Sequence, residues 1–171
     1  MIASRACRRA MLLVPWIALL AGPTFAADDP IGAVERVTPD AFGTPSQGQK
    51  APLAAADRVV ADETIETTRS GSLHIRFVDE SDLWLDANSA VVLDELVFKK
   101  DESTGAFIAE LGPGLFRFVT GKLPHAAYEI RTPVAVIGVR GTDFAVAVAK
   151  NGATRVTSYE HAVTEIGRAH V

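Results

Sequence analysis

Apolar and polar residues alternate along most of this chain with a period of two. Leu73, Ile75 and Phe77 alternate with His74, Arg76 and Val78. Phe144, Val146 and Val148 alternate with Ala145, Ala147 and Ala149, and Thr154, Val156 and Ser158 repeat the spacing. Such alternation predicts strands with one buried face. The apolar run 91–98 and the segment 32–37 also fit strands. Turn residues separate the runs: Arg69-Ser70-Gly71, the acidic stretch 79–82, Ala87-Asn88, Ser103-Thr104-Gly105, Gly112-Pro113-Gly114 and Asn151-Gly152. The Asn-Gly pair predicts a two-residue type I′ hairpin turn with positive φ at both positions. No segment combines helical periodicity with caps. Short strands about ten residues apart predict an all-β antiparallel sandwich or roll. Segment 40–52, poor in strand formers, is expected to be a surface loop. Val134, Ala135, Val136, Ile137 and Val139 are apolar in both phases. That predicts a core strand covered on both sides; the other reading is an exposed docking face.

The first 26 residues break this pattern. They run from a basic stretch (Arg5, Arg8, Arg9) through apolar residues 11–21 to Gly22-Pro23-Thr24-Phe25-Ala26. This is the layout of a secretory signal, with cleavage expected after Ala26. About 11 apolar residues interrupted by Pro15 are too few to span a bilayer. The chain is therefore expected to be periplasmic or secreted, with no transmembrane span after cleavage. Three of its 17 Lys+Arg and none of its 21 Asp+Glu precede residue 27. That leaves 14 bases against 21 acids, a net charge of −7, which carries no footprint for nucleic acid. Cys7 is the one cysteine, so the exported domain is held by its core without disulfides.

Two strings identify a family. LFRFVTGK at 115–122 and RTPVAVIGVRGTDF at 131–144 resemble the FecR domain of bacterial envelope proteins, and most of 31–163 follows that pattern more loosely. FecR proteins proper pass the state of an outer-membrane receptor to a sigma factor. They join a cytoplasmic regulatory part, a membrane span and a periplasmic region. The resemblance implies the domain alone, exported by itself, and not the sigma-regulating role. The family usually has glycine where this chain has Ala56, Glu80, Asp86 and His161.

The motif residues are Arg131, Thr132, Pro133, Gly138, Arg140, Gly141, Thr142, Asp143 and Phe144. Thr132-Pro133 fits a strand start, and Gly138 inside an apolar strand predicts a bulge or a close backbone approach. Arg140-Gly141-Thr142-Asp143 is read as a tight reversal with Arg140 paired to Asp143 or another acid; the competing reading is a ligand site at a loop tip.

No catalytic group, cofactor or metal site is expected. The four histidines (74, 125, 161 and 170) lack metal-ligand spacing and are expected at the surface. Asp79, Glu80, Asp82 and Asp86 match no calcium loop. The leading expectation is a non-enzymatic binding or signal-sensing module whose partner is an envelope protein or a glycan. One alternative is a carbohydrate or cell-wall binding domain. There Trp84 stacks on sugar with Tyr128 or Tyr159, although core packing is the commoner fate of a strand tryptophan. The other is the N-terminal structural part of a longer envelope protein. Residues 165–171 are encodable by a common sequencing-adapter string, so native sequence is expected to stop near Thr164, after a domain over 27–164.

Overall fold

The structure, a computed structural model, describes residues 29–99, 104–139, 143–160 and 163–167. The expected leader, Cys7 and His170 lie outside the described residues. Among the described residues fifteen strands form two sheets. The seven-stranded sheet has the order β14-β13-β10-β7-β6-β1-β4. Its strands are β1 (Pro30–Thr38), β4 (Arg58–Val60), β6 (Ser72–Phe77), β7 (Asp82–Leu85), β10 (Gly114–Val119), β13 (Asp143–Val148) and β14 (Thr154–Glu160). The eight-stranded sheet has the order β15-β12-β11-β9-β8-β5-β2-β3. It comprises β2 (Ala41–Thr44), β3 (Ala51–Pro52), β5 (Glu63–Thr67), β8 (Ala90–Lys99), β9 (Thr104–Leu111), β11 (Tyr128–Arg131), β12 (Ala135–Val139) and β15 (Val163–Gly167).

The alternation seen in sequence is the alternation of burial. Leu73, Ile75 and Phe77 on β6, and Phe144, Val146 and Val148 on β13, all point inward. They meet Ile65, Leu93, Phe107, Ile130 and Ile137 of the other sheet in one core cluster. Phe77, Phe118 and Phe144 from the first sheet interleave with Phe107 and Tyr128 from the second, at centroid separations of 4.9 to 5.8 Å. The architecture is an all-β sandwich. Among the described residues pairing is antiparallel except between β9 and β11, which run parallel. The chain leaves β9, lays β10 into the opposite sheet and returns, and that crossing reverses its direction once more.

Several local expectations are corrected. Segment 40–52 is not all loop: it holds β2 and β3. Ala41 and Gly43 are buried in β2, and a side chain at Gly43 would collide with the Glu63 carboxylate. Small residues suit that close approach, so low strand propensity was a poor guide. The Asn151-Gly152 turn is not type I′. Ala149 carbonyl accepts from Gly152 N–H at 2.8 Å, and only Gly152 of the four residues has positive φ, 86°. The loop is a longer turn closed by a glycine bulge, with Asn151 Oδ1 accepting from Ala153 N–H at 3.1 Å. On β12, Ala135, Ile137 and Val139 are buried, but Val136 and Gly138 are only half-buried, so the strand is covered fully on one side.

Candidate functional site

The motif 131–144 joins the two sheets. Arg131, the last residue of β11, lies among three carboxylates: Glu129 at 2.6 Å, Asp94 at 2.9 Å and Glu110 at 3.7 Å. The Glu129 hydrogen bond leads in raising its pKa. Thr132 Oγ1 accepts from Ala135 N–H at 3.1 Å and from the Thr154 hydroxyl at 3.1 Å. It thereby ties the β11–β12 turn to the start of β14, and exposed Pro133 sits in that turn. Gly138 lies in regular ladders on both sides, with Glu129 and Thr164 opposite, so the expected bulge is absent there. Phe144 is fully buried. Arg140, Gly141 and Thr142 fall outside the described residues. Asp143 accepts a two-pronged contact from Arg117 on β10, Nε to Oδ1 at 2.9 Å and Nη2 to Oδ2 at 2.6 Å. This fork leads in raising the Arg117 pKa. Asp143 is thus held by a cation from a neighbouring strand, while the expected pairing of Arg140 lies outside the described residues.

Arg117 leads to the candidate site. Ladder register sets Arg36, His74, Trp84, Arg117 and Ala145 side by side across β1, β6, β7, β10 and β13. All of them face away from the core. His74 stacks on Trp84 with centroids 4.4 Å apart and planes 10° from parallel. His74 Nε2 lies 2.7 Å from Asp82 Oδ1. The Arg117 guanidinium lies 5.4 Å from the Trp84 ring centre and 5.6 Å from that of Tyr159 on β14. These planes frame an open groove of about 450 Å³, which also reaches Ser72, Asp86 and Leu115. Small Ala145 leaves room beside Arg117. Tyr159 is 60 % exposed and Leu115 45 %, so the rim offers apolar surface to solvent.

Of the sequence candidates, Trp84 and Tyr159 meet in this groove. Tyr128 does not: it is buried, and its hydroxyl donates to Asp79 Oδ2 at 2.6 Å. Trp84 is only half-buried, outside the core. The acidic stretch diverges onto separate partners. Asp79 also accepts from Ser81, Asp82 contacts His74 and Arg76, and Glu80 meets Lys122. Among the described residues no group of three or more His, Cys, Asp or Glu is placed to hold a metal ion. His125 is exposed, as expected, and His161 lies outside the described residues. Sequence reasoning missed Arg36, His74 and Arg117 as site residues. For His74 and Arg117 the signal was phase, since each sits out of step with the buried residues of its strand. Arg36 shares the phase of buried Val34 and is turned outward by the bulge between them, and only register shows that the three are neighbours.

The fold and the groove define an all-β sandwich module with an aromatic and cationic outer face. The chain belongs to the FecR family: the family model described as FecR protein matches residues 63–164. His74, Trp84, Arg117 and Tyr159 lie inside that match, and Arg36 lies before it. Neither curated proteins nor solved structures return a match. Among the described residues no helix is long and apolar enough to cross a membrane.

Proposed function

We propose that this chain is an exported, non-enzymatic binding or signal-sensing module of the bacterial envelope. Its binding face is the groove on the outer face of the seven-stranded sheet. The observation that carries the reading is the Trp84–Arg117–Tyr159 cation–π cluster beside an open floor at Ala145. Rigid planar side chains lose little entropy on contact and present both apolar and polar surface. Two contacts brace the groove, Asp143 with Arg117 and Asp82 with the His74 ring, an arrangement suited to holding a shape. Export rests on the leader, and the envelope setting on the family.

A photo-crosslinking residue at Ala145 in the full chain tests the binding face. It is expected to capture an envelope component, and Tyr159→Ala is expected to abolish the capture. Equal capture from a control position at Val136, on the opposite sheet, overturns the reading. Intact mass of the same chain from a periplasmic fraction is expected to lack residues 1–26.

A further inference from the structure

We infer that the groove takes an acidic carbohydrate, a glycan segment carrying a carboxylate among its hydroxyls; this rests on the binding reading above. The first observation is donor inventory. A guanidinium has five N–H donors. Arg117 commits two of them to Asp143, and its guanidinium carbon lies within cation–π range of both the Trp84 and the Tyr159 ring. The remaining donors belong to a group that is already immobilised, so a ligand that meets them freezes little further freedom.

The second observation is an unmatched cation. Arg36 lines the groove opposite His74 and has no acidic partner among the described residues. A ligand carboxylate satisfies it without breaking an existing pair. The third is an acceptor. Exposed Asp86 lines the same groove, with Ser72 nearby. A compact anion such as phosphate is repelled by Asp86. A sugar acid uses both ends, with its carboxylate on Arg36 and its hydroxyls on Asp86 and on the Arg117 donors that have no partner among the described residues.

The aromatic platform is Tyr159. Trp84 has His74 stacked on its ring, and Arg117 also packs against it. Trp84 therefore serves as the wall that positions Arg117. Tyr159 has Arg117 against it and is otherwise largely open, so it can meet the C–H face of a pyranose. A volume of about 450 Å³ falls within the range of small-ligand sites, about 300–1,000 Å³.

A peptide fits less well. Domains that bind extended peptides by strand addition supply backbone partners from a sheet edge. The groove floor is built on β6, β7, β10 and β13, each paired on both sides.

The test is titration of the full chain bearing Trp16→Phe, which leaves Trp84 as the sole indole. Fluorescence and calorimetry follow the addition of oligogalacturonate and oligomannuronate. Neutral malto-oligosaccharide of equal length and polyglutamate serve as comparators. Saturable binding of an acidic saccharide is expected, at least tenfold tighter than either comparator. Arg36→Ala and Tyr159→Ala are each expected to weaken it at least tenfold. Both side chains are exposed, so an unchanged melting temperature confirms that the variants fold. Three results overturn the inference: no saturable response to either acidic saccharide by both methods, a neutral oligomer binding equally well, or polyglutamate binding as tightly. Crosslinking from Ala145 that persists beside any of these keeps the binding face and removes only the carbohydrate.

Discussion

Ala56 has φ 71° and Glu80 has φ 67°, and both stand where the family usually has glycine. A left-handed backbone costs an L residue about 1–2 kcal/mol, because Cβ crowds the following carbonyl. Ala56 is the cleaner case, since Glu80 also contacts Lys122. Ala56→Gly is expected to stabilise the fold by about 1 kcal/mol after the added chain entropy of glycine, read as a higher urea midpoint at constant slope. Asp86 is not among the positive-φ residues; in that turn the left-handed position is Asn88, φ 53°. Glu63 carries a different tension. It is 3 % exposed, and burial raises its pKa above 4.5, against the lowering effect of the Val60 N–H it accepts at 3.0 Å. The folded state therefore holds this proton more tightly than the unfolded chain does. Its contribution to stability is fully present below pH 4.5 and is lost as pH rises through the raised value. Glu63→Gln keeps an acceptor for Val60 but cannot ionise. It is expected to raise the melting temperature at pH 7 and to leave it nearly unchanged at pH 4; an equal rise at both values rules out the ionisation account.

At the scale of elements, what the sequence revealed was whatever depends on one strand alone. The burial phase of β6 and β13 was legible because every second side chain enters the core. β2 was not, since its place is set by pairing with β5 and by the close approach of Gly43 to Glu63. The turn at 149–152 defeated the Asn-Gly signal because the loop closes one residue later, leaving a single left-handed residue. The groove was half legible for the same reason. Trp84 and Tyr159 stood out as aromatics, whereas His74 and Arg117 acquire meaning only from being set opposite Trp84 on β6 and β10. The motif 131–144 was recognisable as a string. The contact that Asp143 makes with Arg117 was not legible there, because that cation comes from β10, 26 residues away in sequence.

For the whole molecule, the question is what keeps the two sheets in register with each other. The aromatic core supplies area, but greasy contacts slide at small cost. A polar junction fixes the alignment at one end. Asp79, fully buried in the β6–β7 turn, takes the Tyr128 hydroxyl from β11 at 2.6 Å. The same hydroxyl accepts from Gly121 N–H at 2.8 Å and Leu123 N–H at 3.2 Å, in the segment that carries the chain between sheets. Asp79 carbonyl closes the ring by accepting from Lys122 N–H at 2.7 Å. A side chain at Gly121 would collide with that carbonyl, so glycine is required there by space. Burial, with the bond to Asp79 adding to it, raises the Tyr128 pKa well above the ordinary phenol value and keeps the hydroxyl protonated as a donor. Tyr128→Phe retains the ring against Phe107 and Phe118 while removing one donor and one acceptor. It strips Asp79 of a partner and leaves two backbone N–H groups without theirs, and each such loss costs about 1–3 kcal/mol. The expected destabilisation is about 3 kcal/mol, seen in urea melts. Amide exchange is expected to quicken at Gly121 and Leu123 ahead of the strand centres. A loss below about 1 kcal/mol would mean that the apolar core alone sets the register.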